Sequence, residues 1–184
     1  EGNASASAVT IPDWAQTAPL PEARPPRPLS PSRQEDVNDV AVPVRPSSDA
    51  RSTQRGILMH ALFERLPAVA PTARLAAAQR WLAAQASGFD AADQAAMATA
   101  VIAVLDDARF APAFGEGSLA EVPFSALVEG RVIAGAIDRL RVTAEGIDIV
   151  DFKTGAFVPA DANDVPRAYV RQMAAYAEAL RVIY

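Results

Sequence analysis

Cysteine is absent from this 184-residue sequence, and basic side chains other than arginine are almost absent too: there is one lysine, Lys153, and one histidine, His60. The first absence excludes disulfide frameworks, thiol nucleophiles, cysteine zinc sites and any cysteine-bound iron–sulfur cluster. No apolar run approaches the ~20 residues needed to cross a bilayer, and the N-terminus lacks the basic start and apolar block of a secretory leader. The expectation is therefore a cytoplasmic protein with no membrane partner. A formal charge of −5 and a pI near 4.9 argue against blanket neutralisation of nucleic-acid phosphate, so any contact with DNA must be local or shared. A chain that otherwise uses arginine yet places one ammonium and one imidazole raises a chemical question at both positions.

What is present divides into an arm and a domain. Residues 1–50 hold nine of the fifteen prolines, with a cluster at Arg24-Pro25-Pro26-Arg27-Pro28, so this stretch reads as a linker or extended arm. Trp14 and the apolar pieces around Ile11 and Val42 suit docking on a domain surface or a solvated tether equally. From 51 to 184 the hydrophobic content, 51% overall, supports one packed domain.

Three helices are predicted first. Ile57, Leu58, Ala61, Leu62 and Leu66 recur at helical spacing after a Ser/Thr start near Thr53. A second helix opens at Pro71-Thr72 and stops at Ser87-Gly88, and a third is capped by Asp90 and runs to about Ala108. The period then changes to two: Leu119 to Val128, Arg131 to Val142 and Ile147 to Thr154 read as an antiparallel meander with turns at Glu129-Gly130 and Ala144-Glu145-Gly146. A last helix starts near Asp164 and Pro166, with the inward stripe Tyr169, Gln172, Met173, Tyr176, Leu180 and Ile183. The fold class is α/β: a strand meander flanked by helices.

Strand alternation places Asp138 in the row Val132, Ala134, Ala136, Leu140 and Val142, where an unpaired carboxylate costs several kcal/mol unless a partner or cation is near. Asp151 and Lys153 share a face of the third strand. A two-residue loop at Ala144-Glu145, or a four-residue loop from Thr143 to Gly146, sets residue 142 opposite 147 and Asp138 opposite Asp151. Like charges at such spacing, about 4.5–5.5 Å between Cβ atoms, repel unless a cation sits between them, and hard divalent ions favour oxygen ligands. Lys153 beside them suits holding a water or a scissile phosphate. The same three residues also describe an ordinary salt-bridged surface cluster. Taken singly, His60 reads as a satisfied structural histidine one turn after Gly56, Glu121 as a solvated strand residue, and Gln172 with Tyr176 as helix–sheet packing.

In order, Gly56-x-x-x-His60, Glu121-x-Pro123-Phe124, Gly135-x-Ile137-Asp138-Arg139, Asp151-Phe152-Lys153-Thr154-Gly155 and Gln172-x-x-x-Tyr176 resemble the RecB-family nucleases of the PD-(D/E)xK superfamily, over residues 53 to 184. A bare D-x-K is weak; five blocks at compatible spacing are specific. Within the family the likeness is closest to the C-terminal nuclease domain of AddA-type helicase–nucleases. The resemblance implies a restriction-endonuclease-like core. It implies Mg²⁺, with Mn²⁺ as a substitute, held by His60, Asp138, Asp151 and the carbonyl of Phe152. Lys153 would serve the attacking water, Glu121 would be a further acidic site residue, and Gln172 and Tyr176 would position DNA or the site. The implied activity is exonucleolytic resection of double-strand breaks for recombinational repair. The implied partners are single- and double-stranded DNA ends, helicase domains upstream in the same polypeptide and an AddB-like subunit. The lack of cysteine separates the chain from the iron–sulfur members of the family. The family core continues with a strand after the last helix, so the sheet is expected to lack its final strand here. The alternative is an inactive nuclease-like module that guides DNA or docks a partner.

Overall fold

The computed structural model describes residues 28–31, 50–155 and 158–184, so Trp14, Ile11, Val42 and most of the proline cluster lie outside the described residues. Helix α1 (Ala50–Arg65) buries Leu58, Met59, Leu62 and Phe63, two adjacent pairs one turn apart on a single stripe. Single 3-10 turns at Leu66–Ala68 and Pro71–Ala73 lead into α2 (Arg74–Gln85). Asp90 caps α3 (Ala91–Leu105), its carboxylate accepting the Asp93 backbone N–H at 2.8 Å, as the sequence predicts. A one-turn helix α4 (Ala111–Phe114) ends the helical part. With Phe89, these helices share one apolar cluster built around the fully buried Leu62, Leu82, Met97 and Val101.

The sheet is a three-stranded antiparallel meander in the order β1 (Ser118–Val128), β2 (Arg131–Val142), β3 (Ile147–Val150). Glu129 and Gly130 both take positive φ, 47° and 76°, which is the two-residue turn whose twist matches that of the flanking strands. The second turn closes through the Thr143 N–H donating to the Gly146 carbonyl at 2.9 Å, leaving Val142 paired with Ile147. Helix α5 (Arg167–Ile183) follows Pro166 and lays Tyr176, Ala179 and Leu180 over Phe124, Ala126, Ile137 and Leu140, forming a second apolar cluster. Helix, meander and helix make the α/β architecture expected from the sequence.

Two expectations change. The packed row of β2 under α5 includes Ile133, Gly135 and Ile137, and of the even-numbered residues only Leu140 joins that cluster. Ala136 is exposed, and Asp138 meets α1 instead. Gly135 is needed there, because a Cβ would stand 3.3 Å from the Phe124 ring. Strand β3 also stops at Val150 instead of Thr154. The reason is local: the Asp138 carboxylate accepts the Phe152 N–H at 2.6 Å, and the Phe152 ring stacks on Phe63 with centroids 4.0 Å apart, so the chain peels from the ladder toward α1. Beyond that point the free edge of β2 is met by Leu29 of the arm, in a parallel bridge to Ile133 made by the Leu29 N–H on Val132 O (2.8 Å) and the Ala134 N–H on Leu29 O (3.0 Å).

Candidate active site

The ladder ends at the pair Arg139–Val150, one residue short of Asp138 and Asp151; on the other side Ala120–Arg139 and Val122–Ile137 leave Glu121 facing Asp138. Glu121 and Asp138 therefore form a short acidic row across β1 and β2, with Asp151 just past the last ladder pair. Glu121 is held at φ 49°, a left-handed conformation that costs a non-glycine residue roughly 1–2 kcal/mol and interrupts the ladder at that one pair.

His60 reaches the row from α1. Its Nε2 lies 3.0 Å from the Phe152 carbonyl, which requires an N–H there to donate, and its Nδ1 lies 3.4 Å from Asp138 Oδ1. Ligand atoms of His60, Glu121 and Asp138 all fall within 4.8 Å of one another. The Asp138 hydrogen bond, opposed by burial, holds the His60 imidazole above its ordinary pKa of 6.5. Desolvation, followed by the charge of Asp138, raises the Glu121 carboxyl above 4.5. Both shifts favour the protonated form, for His60 chiefly because it has an acceptor carboxylate and for Glu121 chiefly because burial disfavours its charge.

The other half of the site is closed. Asp151, 8% exposed, accepts from Gln172 Nε2 at 2.9 Å through Oδ1. Its Oδ2 is enclosed and ion-paired with the Lys153 ammonium, yet accepts no well-directed hydrogen bond. Lys153 Nζ donates to Gln172 Oε1 at 2.8 Å, so one buried amide orients both the acid and the base. Gln172 Nε2 also lies 2.8 Å from the Tyr176 hydroxyl, which donates to the Ala136 carbonyl at 3.2 Å and ties the clamp to β2. Alternation explains the division of labour: with Asp151 and Lys153 turned to α5, Phe152 between them turns to α1.

The sequence-predicted residues thus meet, but in a different grouping. Glu121, expected as an accessory acid, stands within ligand distance of His60 and Asp138. Asp151, expected as a ligand, is not in that group of three and is ion-paired with Lys153. Gly56 performs the close approach its type suggests, since a Cβ there would lie 3.0 Å from Thr154 Oγ1. Glu64 was missed, although its place one turn after His60 signals it: Gly56, Ile57, His60, Ala61, Glu64 and Glu121 line a cleft of ≈ 410 Å³ beside the row. Tyr169, assigned above only to a packing stripe, stands under the Lys153 ammonium.

The donor set of carboxylate oxygens, an imidazole nitrogen and a backbone carbonyl fits a hard divalent cation, and the enclosed Asp151 Oδ2 adds an oxygen with unused acceptor capacity. A family model of the PD-(D/E)XK nuclease superfamily matches residues 34–183. The chain belongs to that superfamily. Its three-stranded meander between helices is consistent with the restriction-endonuclease-like fold, and PD-(D/E)XK domains are nucleases that typically use divalent metals. A search of curated proteins returned no match. Among the described residues, no helix is long and apolar enough to cross a membrane.

Proposed function

We propose that this PD-(D/E)XK domain is the Mg²⁺-dependent DNA exonuclease part of an AddA-like, RecB-family helicase–nuclease that resects double-strand breaks in the cytoplasm. The observation that carries the metal chemistry is the convergence of His60, Glu121 and Asp138 beside the Asp151–Lys153 pair. The five ordered sequence blocks support the finer assignment. In this reading, 51–184 is the nuclease domain and the proline-rich arm tethers it to helicase motor domains, with an AddB-like subunit and DNA ends as partners.

His60, Asp138, Glu121 and the Phe152 carbonyl would hold the cation, with Asp151 joining through Oδ2. A divalent ion held there would supply Lewis acidity for the scissile phosphate and would lower the pKa of a nearby water so that hydroxide is accessible near neutral pH. Lys153 donates hydrogen bonds to that water or to a phosphate oxygen, stabilising negative charge as it develops. Gln172 keeps the acid and the ammonium in register, and Tyr176 keeps Gln172 in place.

Asp151→Ala and Lys153→Ala are expected to abolish cutting of linear DNA, by about 10³-fold or more, in a full-length enzyme that still unwinds DNA. Equal cutting by the variants would sink this reading. Calorimetric titration with Mn²⁺ separates it from an inactive docking module, which would bind no ion in wild type or Asp138→Ala.

A further inference from the structure

We propose that Tyr169 is a positioning residue for the Lys153 ammonium, a role that rests on the nuclease reading above. A lysine carries a compact charge on a flexible four-carbon stem, so its catalytic value depends on what fixes it. A displacement of ~1 Å in such a group costs about a hundredfold in rate. Here three neighbours surround Nζ: the Asp151 carboxylate, Gln172 Oε1 at 2.8 Å, and the Tyr169 ring, whose centroid lies 5.0 Å away. Tyr169 and Gln172 are three residues apart on α5 and so share a face of the helix.

The ring does what other side chains at that position would not. Its π face attracts the cation, whereas an aliphatic chain offers the charge nothing and an acid would compete with Asp151. Gln172 engages one of the three ammonium donors and Asp151 pairs with the charge, which leaves donor capacity for water or phosphate. Lys153 is 35% exposed, so its ammonium still meets solvent with the ring beside it. Plain packing would account for Tyr169 being half-buried, but not for a tyrosine face set under the chain's single lysine.

That singularity makes the test direct. In the full chain, lysine labelled with ¹³C at Cε yields one side-chain signal, from Lys153. Ring-current shielding is expected to move its protons upfield in wild type and in Tyr169→Phe, and both Tyr169→Leu and Tyr169→Met should return them to the free-lysine position. On linear duplex DNA with Mg²⁺, the Leu and Met variants should lose roughly two- to thirtyfold in kcat at unchanged KM, while Tyr169→Phe keeps both. An unmoved lysine signal in the Leu and Met variants, or a Phe variant as slow as the Leu variant, overturns the proposal. If wild type cuts no nucleic acid, the nuclease reading falls instead, and the lysine signal still decides whether the ring seats the ammonium.

Discussion

The helical cluster of α1 to α4 and the sheet cluster under α5 are packed alike but serve the site differently. The first contributes one imidazole, on a helix whose remaining inward residues are apolar, and it captures Phe152. The second contributes a hydrogen-bonded clamp, Gln172 and Tyr176, both buried. The tripeptide Asp151-Phe152-Lys153 is the seam: its ring belongs to one core and its charges to the other. A site built this way is assembled only when both cores are folded and docked, so stability and site geometry are coupled through a single segment.

Cutting the seam is the harshest way to break that comparison. Phe152→Ala removes a half-buried ring stacked on Phe63 and should cost about 2–3 kcal/mol in urea unfolding, with Mn²⁺ affinity falling as well. Normal metal binding in a destabilised variant would show that the two halves are independent. Next comes the clamp: Gln172→Met keeps the volume but removes the hydrogen bonds to Asp151 Oδ1 and the Lys153 ammonium. It is expected to lower cutting at least tenfold while costing about 1–3 kcal/mol of stability. A variant that cuts normally would reduce Gln172 to packing.

A smaller effect of opposite sign is expected at Glu121. Glu121→Gly relieves the left-handed strain and should stabilise the chain by about 1 kcal/mol while weakening divalent-ion binding. A destabilised glycine variant would mean that the strain is absent. The smallest effect is in pH. The folded-state pKa values of His60 and Glu121 are raised, so the folded chain holds protons more tightly and metal-free stability falls as pH rises. The His60 contribution is fully present below 6.5 and lost as pH passes its folded value; the Glu121 decline begins at lower pH, above 4.5. Thermal melts in chelator should therefore decline from about pH 6 upward, and Mg²⁺ should flatten the slope by taking the proton's place. Melting temperatures that climb over that window would contradict the assignment.

The legible parts of the molecule were those fixed by short-range rules. The Glu129-Gly130 turn and the loop after Val142 set the register of the meander as far as the Arg139–Val150 pair, and Asp90 announced its helix. What stayed hidden was decided by tertiary contacts. Nothing local says that Glu121 adopts positive φ, that the odd-numbered row of β2 carries the packing under α5, or that Phe152 leaves the ladder for Phe63. The regrouping of Asp151 with Lys153 follows from the same departure, because a peeled segment can offer its charges to α5. Tyr169 and Glu64 were one helical turn from residues already suspected, and their types were compatible with ordinary surface or packing roles.

The bridge from Leu29 has a consequence for solution behaviour. Where β3 departs, β2 would present bare N–H and C=O groups, a template onto which another molecule's strand can zip, and the chain's own arm fills that template at Val132 and Ala134. Trimming the arm past Leu29 would unmask it, and the trimmed protein should become prone to self-association and fibre-like clumping even with every residue of the catalytic row intact.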